Sequence, residues 1–395
     1  MSARQSSNRE GPQSSRHFPN NCAILRRRSH CVSVLFRFAI IAVLISSSIL
    51  PAAARKKHRE LTPNKENIEA ATRLQIFLDR ANFSPGKLDG TYNELTWKAL
   101  ALYRQSRGEQ PQPPPAQGKI KSNVAPDITG LDLDSVGPVF VPYTVTDADL
   151  ATVGPVPSNI AAQAKLKFLP YHDAADAIAE KFHSDVHFLE RFNPGKMKTI
   201  KAGDQLKVPN VEPFELGAVK NIKPGSDLNV QPANDIEYQP EPQSENADKN
   251  NQPKKDEVAS TPVVIKIDTK INMLGVFQGE KLIAAYPVTI GSAHTASPIG
   301  EWKVRGIAKM PIFRYDKEML QHGRRSGNFH LLPPGPRNPV GVMWIALNKK
   351  GIGIHGTNDP GSIGRAASHG CIRLANWDVV RLATKIKPGD SVSIH

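Results

Sequence analysis

The N-terminal region lacks a hydrophobic run long enough to cross a membrane. Its uninterrupted apolar stretch, from Phe38 to Leu50, is shorter than the roughly 20 residues that a spanning helix needs. Arginines precede this stretch, and the small residues of Pro51–Ala54 follow it. These three features predict a secretory signal peptide over residues 1–54. An uncleaved segment that attaches the protein transiently to a membrane is the alternative.

Cysteine is scarce, because only Cys22, Cys31 and Cys371 occur among 395 residues. Removal of the predicted signal peptide would leave Cys371 alone. Exported proteins ordinarily use cysteines in pairs, which form disulfides. A single thiol in such a protein is therefore either a buried, inert small hydrophobic residue or a nucleophile.

The sequence also lacks a recognised nucleic-acid-binding motif, although its formal net charge is +14. The basic residues are scattered, and the chain stays basic after loss of residues 1–54. Basic charge suits an acidic polymer, and export to the periplasm or cell wall favours a polymer of the cell envelope. We therefore expect no nucleic-acid partner.

Proline, by contrast, is abundant and clustered, with 33 residues, which predicts a multidomain chain with linkers. Residues 109–164 begin with a proline-rich spacer and continue as irregular structure with short strands. Residues 213–260 are polar and contain too few apolar residues to offset the entropy of ordering, so a disordered linker is expected.

Residues 64–108 have the pattern of a small helical unit. Thr91–Glu94 is a capping-box signature that would open the second helix. Helical spacing predicts two buried stripes: Leu74, Phe77, Leu78 and Ala81, then Thr96, Ala99, Leu100 and Tyr103. The stretch "LQIFLDRANFSPGKLDGTYNELTWKALALYRQSRG" resembles the all-α peptidoglycan-binding domain of cell-wall enzymes, which implies a glycan partner. A helical hairpin without a ligand is the alternative.

Residues 165–212 have the pattern of a second small unit. Asp173 and Ser184 are the predicted N-caps of two short helices, and "DQLKVP" has the pattern of a strand. The buried face of the first helix is expected to contain Ala175, Ile178, Ala179 and Phe182. This order resembles an α+β LysM carbohydrate-binding module, although "LKFLPYHD" stands in place of the usual first strand. A structural spacer is therefore the alternative to glycan binding.

Residues 261–395 have the pattern of a mostly-β domain. Five runs rich in β-branched residues predict strands: "VVIKIDT", "MLGVFQ", "LIAAYPVTIG", "VMWIAL" and "IGIHG". One helix is convincing, "NWDVVRLATKIKPG", with Asn376 as its predicted cap and Pro388–Gly389 as its end. "SVSIH" is expected to form the last strand, and Trp302 and Trp344 are assigned to the core.

The sequence around Cys371 contains the parts of an acyl-transfer site. A neighbouring histidine can take the proton of a thiol and return it later. Gly370 lets the chain turn sharply, so backbone N–H groups can approach an oxygen that becomes negative. His369 is adjacent, and His355 ends a predicted strand, where a loop can present a catalytic base.

Two other interpretations of this stretch compete. Cys371 could be buried and inert, but "ASHGCIR" is small and polar rather than apolar. His355, His369 and Cys371 could bind zinc, whose preferred ligands they are, but the spacing indicates no fourth ligand. We expect no metal and no other cofactor.

The stretches "GIGIHGT", "SIGRAASHGCIRL" and "NWDVV" together resemble the L,D-transpeptidase catalytic domain, which is also called YkuD-like. "SPIGEWKV" at 297–304 and "PPGPRNPVG" at 333–341 extend the resemblance to about 130 residues. The resemblance implies a mainly-β fold and an enzyme of the cell wall. The implied reaction joins the third residues of two peptidoglycan stem peptides through a cysteine thioester.

Transferred to this sequence, the resemblance makes Cys371 the nucleophile and His355 the general base and acid. It brings His369 and the backbone amides of Gly370 and Cys371 near the oxyanion.

Two further residues are assigned to substrate binding by the same resemblance. Arg373 would bind a substrate carboxylate, with a solvated charge as the alternative. Ser368 would shape the substrate-binding turn rather than react.

The acceptor of the acyl group stays open at this point. An amine of a second stem would give a crosslink, water would make the protein an L,D-carboxypeptidase, and a protein lysine would attach that protein to peptidoglycan. A wall-binding scaffold with an idle cysteine is the interpretation without catalysis.

Overall fold

A computed structural model describes part of the chain, in eight ranges: residues 65–110, 125–221, 261–291, 296–322, 324–349, 351–364, 366–368 and 370–395. The predicted signal peptide, most of the proline-rich spacer, most of the polar linker and His369 lie outside the described residues. Across the described ranges, no helix combines the length and the apolar character that crossing a bilayer requires.

The first helical unit is a pair of helices, α1 (Lys65–Arg80) and α2 (Glu94–Ser106). The predicted stripes face inward, because Leu74, Leu78, Thr96 and Ala99 are buried. The cap of α2 was predicted at the wrong residue. Asn93, not Thr91, caps α2 by accepting from the Thr96 amide, because the Thr91 hydroxyl and amide both bond to Asp89.

A second unit has the order strand, short helices, strand. Its elements are β1 (Phe140–Thr144), α3 (Asp147–Leu150), α4 (Ile160–Gln163), α5 (Ala174–Lys181), α6 (Val186–Phe192) and β2 (Gln205–Pro209). The two strands pair antiparallel, so this unit reaches upstream of the boundary at residue 165 that the sequence suggested.

Of the two helix caps predicted for the second unit, one is correct and one is wrong. Asp173 caps α5 as predicted, by accepting from the Asp176 amide. Asp185, not Ser184, caps α6, because the Ser184 hydroxyl donates to the Phe182 carbonyl. Ile178, Ala179, Phe182 and Leu189 form the buried face.

The C-terminal domain is mainly β, as predicted. Its strands are β3 (Val263–Asp268), β4 (Met273–Gln278), β5 (Lys281–Pro287), β6 (Ile290–Gly291), β7 (Gly300–Lys309), β8 (Phe313–Tyr315), β9 (His330–Leu332), β10 (Met343–Leu347), β11 (Gly353–His355), β12 (Ala366–Ser368), β13 (Ile372–Arg373) and β14 (Ser391–Ile394). Eight of them form one sheet in the order β13-β11-β10-β7-β14-β3-β4-β5. The pairs β11–β13 and β14–β3 are parallel.

Helices α7 (Lys317–His322) and α8 (Asn376–Ala383) belong to this domain. Val379, Ala383 and Ile386 pack into the main apolar core. The sequence predicted Asn376 as the cap of α8, and this prediction is wrong. Ala375 precedes the helix and provides no side-chain cap, since the Asn376 amide is used in buried bonds elsewhere. The helix also ends at Ala383, before Pro388.

The helical pair covers the edge of the large sheet. The Ser84 amide donates to the Ala285 carbonyl at 2.9 Å, and the Ala285 amide donates to the Asn82 carbonyl at 2.9 Å. This main-chain pairing satisfies groups of β5, the last strand of the sheet, that would otherwise be exposed. Leu74 and Leu78 share one apolar cluster with residues of the sheet, Met273, Leu282 and Ala285.

The second unit contacts the loop that contains "PPGPRNPVG". The Leu169 amide donates to the Pro334 carbonyl at 2.9 Å. Gly335 has a φ of +147°, and a β-carbon there would lie 2.1 Å from the Leu169 carbonyl oxygen. Only glycine permits this approach, so the loop is shaped to receive the second unit.

A buried ionic cluster ties α1 to α8. Both Arg381 Nη atoms donate to the Asp79 carboxylate, at 2.9 and 3.0 Å, and His183 Nδ1 lies 3.1 Å from it. Burial opposes ionisation of Asp79, but Arg381 and the hydrogen bond from His183 together outweigh it and hold the pKa of Asp79 well below its usual range. Burial lowers the pKa of His183, so a neutral imidazole donates to Asp79.

Candidate active site

A cavity of about 220 Å³ opens at one edge of the large sheet and brings together three residues that the sequence singled out. His355, Cys371 and Arg373 line it, together with Trp344. His355 ends β11, and its backbone is paired with that of Arg373 in the parallel strand β13. This short parallel pairing brings together residues that are 18 positions apart in the chain.

Cys371 immediately precedes β13 and is partly buried. Its thiol donates to the Gly351 carbonyl across 3.5 Å. It packs against an apolar cluster that includes Val340, Trp344 and Ala346. The sulfur is therefore in contact with the wall of the cavity and close to a backbone acceptor, rather than within the main core.

His355 is buried, and its ring orientation is fixed on two sides. Nδ1 lies 2.6 Å from the Gly356 carbonyl. Because a carbonyl can only accept, Nδ1 bears the proton and Nε2 is left as an acceptor. The ring also stacks on Trp344, with centroids 5.3 Å apart and an 18° angle between the planes. Trp344, assigned to the core from sequence, therefore also supports the site.

The electrostatics keep His355 neutral. Burial, and then the nearby Arg373 guanidinium, lower its pKa from 6.5 to about 3, against the opposing bond to Gly356. At physiological pH the imidazole is therefore uncharged, so Nε2 can accept a proton. The arrangement favours proton transfer during attack over a resting ion pair with the thiol.

Ser368 and Gly370 form a tight turn in front of the cysteine. The Ser368 hydroxyl donates to the Cys371 carbonyl at 2.5 Å and accepts from the Gly370 amide at 3.2 Å. Gly370 has a φ of +106°, which favours glycine. Ser368 is buried, its hydroxyl bonds within its own turn, and it is not among the described residues that line the cavity. The Gly370 amide must leave Ser368 before it can bind an oxyanion.

Arg373 extends a half-buried guanidinium to the cavity. Its backbone is held by two 2.9 Å bonds to Thr289, and its Nε has no hydrogen-bond partner among the described residues. Burial lowers the pKa of Arg373, while Cys371 and Asp359 act in the opposite direction. The guanidinium remains a cation, and an unbonded donor beside a cavity suits a carboxylate ligand.

The hairpin that covers the cavity was not anticipated from the sequence. The segment from β8 through α7 to Arg325 contributes seven lining residues: Phe313, Arg314, Tyr315, Asp316, Met319, Leu320 and Arg325. Asp316 fastens the hairpin by accepting from Ser326 and from Arg314 Nη1. No sequence signal connects this stretch to Cys371, because it lies about 50 residues away and has neither strand nor helix periodicity.

The zinc alternative finds no geometric support in the part of the chain that the structure describes. No group of three His, Cys, Asp or Glu side chains there is arranged to hold a metal ion. His369, which that alternative requires, lies outside the described residues, as does any contribution it makes near an oxyanion.

Comparisons with known proteins match the C-terminal part of this chain. The family model for the L,D-transpeptidase catalytic domain, YkuD, matches residues 262–394. YqjB of Bacillus subtilis, named as an L,D-transpeptidase, is 35% identical over 138 residues, which are 34% of this chain and 70% of that protein. YkuD of Bacillus licheniformis, similarly named, is 33% identical over 133 residues, 34% of this chain and 66% of its own length.

Among solved structures, L,D-transpeptidase 3 from Mycobacterium tuberculosis aligns with 34% of this chain and 61% of its own, at 15% identity and a TM-score of 0.28. This chain thus spans slightly less than two thirds of the length of both YkuD relatives, from Bacillus licheniformis and Bacillus subtilis. The match to YqjB and the family model together identify this chain, through residues 262–394, as a member of the YkuD family of L,D-transpeptidase catalytic domains.

Proposed function

We propose that the protein is an L,D-transpeptidase that crosslinks peptidoglycan through a thioester on Cys371. The observation that carries the proposal is the convergence of Cys371, a neutral His355 and the Arg373 cation on one cavity. A nucleophile, a base with its tautomer fixed and a carboxylate-binding group are the parts that acyl transfer from an acidic peptide needs.

In the acylation step, the Cys371 thiol gives its proton to His355 Nε2 as the sulfur attacks a carbonyl carbon. That carbonyl belongs to the third residue of a stem tetrapeptide. The bond to the terminal D-alanine then breaks, and His355 returns the proton to the departing amine. The products are free D-alanine and a thioester between the stem tripeptide and Cys371. The Nδ1 bond to Gly356 keeps Nε2 directed to this work.

The negative oxygen of the tetrahedral intermediate needs N–H donors. The backbone amides of Gly370 and Cys371 are the proposed donors, with His369 nearby. The Gly370 amide donates to Ser368 in the structure, so its role requires that substrate displace this bond. Arg373 binds a carboxylate of the stem peptide and so places the scissile bond.

In the second step, the side-chain amine of another stem attacks the thioester. His355 takes a proton from that amine, the carbon–sulfur bond breaks, and the proton passes to the sulfur. The new amide is the crosslink between third residues. Water in place of the amine would release a tripeptide, and a protein lysine would become attached to the wall.

Incubation of the mature protein with purified disaccharide-tetrapeptides, followed by mass analysis, tests the activity. Crosslinked dimers are the expected product. Tripeptide monomer alone would show hydrolysis instead. No product, with retained binding to sacculi, would show a scaffold and contradict the proposal. Cys371→Ala is the control for the nucleophile in each case.

We further propose that the two N-terminal units hold the enzyme on its polymer and that residues 1–54 direct export. The LysM-like assignment is supported by the helices α5 and α6, which lie in the chain between the antiparallel strands β1 and β2. The helical assignment is supported by the α1–α2 pair. Attachment would raise the effective concentration of the enzyme at the wall. Sedimentation of the Cys371→Ala protein with sacculi tests this; full recovery in the supernatant would contradict it.

A further inference from the structure

A buried carboxyl from outside the family-matched segment contacts the catalytic domain. Glu180 lies on α5 and is 4% exposed. Its Oε1 accepts from Asn376 Nδ2 at 2.7 Å, and the Tyr171 hydroxyl is a second hydrogen-bond partner of the same carboxyl. Asn376 is the first residue of α8, so this contact joins the second unit to the domain that contains the cavity.

The other end of the Asn376 amide reaches the loops behind the site. Its Oδ1 accepts from the Val342 amide at 3.2 Å. Two glycines pack directly on this oxygen: a β-carbon on Gly341 would lie 2.1 Å from it, and one on Gly356 would lie 2.2 Å from it. The side chain of Asn376 is therefore wedged between the 341–342 loop and the turn at Gly356.

Gly356 is the residue whose carbonyl fixes His355. The imidazole Nδ1 donates to that carbonyl at 2.6 Å, and the Gly356 amide is held by the Met343 carbonyl at 3.1 Å. A shift of the turn would change both the tautomer partner and the orientation of the ring. The contacts thus run without a gap from Glu180 through Asn376 and Gly356 to His355.

We infer that Glu180 is a positioning residue for His355, supplied by the LysM-like unit rather than by the catalytic domain. An asparagine amide can face either way. Nδ2 can only donate, so the carboxyl of Glu180 fixes Nδ2 on its own side and leaves Oδ1 for Val342. Without Glu180, the buried Nδ2 group loses its acceptor, and the amide no longer holds the turn.

This inference rests on the proposed role of His355 as the base, so its test uses a readout that does not need peptidoglycan. The rate at which iodoacetamide alkylates Cys371 at pH 7 reports how effectively His355 takes the thiol proton, and intact mass gives that rate. Glu180→Ala should slow alkylation about tenfold, as loss of a supporting partner typically does. Glu180→Gln keeps an oxygen acceptor and should stay within about twofold of wild type.

The control is Asp79→Asn, which disrupts a different buried contact between the N-terminal units and α8. It should lower the melting temperature but leave the alkylation rate within about twofold of wild type, because Asp79 does not touch the 341–342 or 356 turns. Asn376→Ala should slow alkylation as much as Glu180→Ala does. The variant with both substitutions should be no slower than either single variant. Glu180→Met, of similar size, replaces Glu180→Ala if that variant does not fold.

Equal alkylation rates for wild type and the folded Glu180 variants would overturn the inference. The inference would also be overturned if Asp79→Asn slowed alkylation of Cys371 as much as Glu180→Ala does. The effect would then come from a general loss of stability. If wild type fails to turn over tetrapeptide while Glu180→Ala still slows alkylation, the proposed function falls and the positioning role stands. ¹⁵N shifts of the His355 ring, moved by Glu180→Ala but not by Asp79→Asn, give a second readout.

Discussion

His355 is neutral in the folded protein because its ring is buried and lies beside Arg373. The pKa falls from 6.5 to about 3, so we predict that its ring nitrogens do not titrate between pH 8 and pH 5. Between about 6.5 and 3 the unfolded chain binds a proton that the folded chain does not. This contribution to stability is therefore complete above 6.5 and is lost as the pH falls toward 3.

¹H–¹⁵N NMR of the ring nitrogens measures this directly, with His355→Gln to assign the signal. A midpoint near 6.5 would contradict the account of a buried, neutral base.

Arg373 should affect substrate binding. Arg373→Gln removes a cation that we propose pairs with a stem-peptide carboxylate. The loss of one charge-assisted contact costs about 2 kcal/mol, or about thirtyfold in KM for tetrapeptide. An unchanged KM would indicate that the guanidinium is only solvated.

Residues were easier to identify from sequence when their partners were local. Cys371, His355 and Arg373 occur in one short stretch, and the pairing of β11 with β13 brings them to one cavity. Arg314 and Tyr315 line the same cavity from a hairpin that is distant in the chain. Nothing in the sequence of that hairpin indicates its contact with the site. The sequence also could not predict the orientation of Ser368, because that orientation depends on the backbone geometry of the turn.

At the scale of elements, the turn at Gly356 is a sensitive connection between α8 and the site. Gly356→Ala would place a β-carbon 2.2 Å from Asn376 Oδ1. We predict a destabilisation of about 2 kcal/mol from overpacking, with slower alkylation of Cys371. Gly217→Ala is the matched control, because a β-carbon there meets nothing within 4 Å. Denaturant unfolding measures both; equal stability of the two variants would contradict the packing.

Helices and strands followed from periodicity, whereas their ends did not. Asn93 and Asp185 cap their helices one or two residues from the predicted positions. Several Ser, Thr, Asn and Asp residues compete at each end, and the winner depends on which side chains already have partners. Asn376 was expected to cap α8, but its amide bonds instead to Val342 and Glu180, a choice that only tertiary contacts decide.

At the scale of the whole molecule, the N-terminal units and the catalytic domain should unfold together. Asp79 on α1 and Arg381 on α8 form a buried ion pair, and breaking one partner of such a pair costs about 3 kcal/mol. We predict one calorimetric transition for the protein and a lower single transition for Asp79→Asn. Glu69→Gln, which alters a more exposed pair, should change little. Two separate transitions in wild type would contradict this coupling.

The sequence could not predict the contacts between the N-terminal units and the catalytic domain. Charged residues such as Asp79 and Glu180 on a helix are typical of positions that face solvent.

Two of the buried carboxyls become costly to ionise at higher pH. Burial raises the pKa of Glu180 from 4.5 to about 7 and that of Asp378 from 3.8 to about 8. The contribution of these two carboxyls to the stability of the folded state is therefore present at low pH and is lost as the pH rises to about 8.

We propose that Cys371 holds an acyl group from the wall peptide. Brief incubation of the protein with donor tetrapeptide, acid quenching and peptide mass mapping measures this directly. We predict a mass gain equal to the stem tripeptide acyl group on the peptide that contains Cys371, and none in Cys371→Ala or without donor. A preparation that forms crosslinked dimers yet never acquires mass at Cys371 would contradict the account.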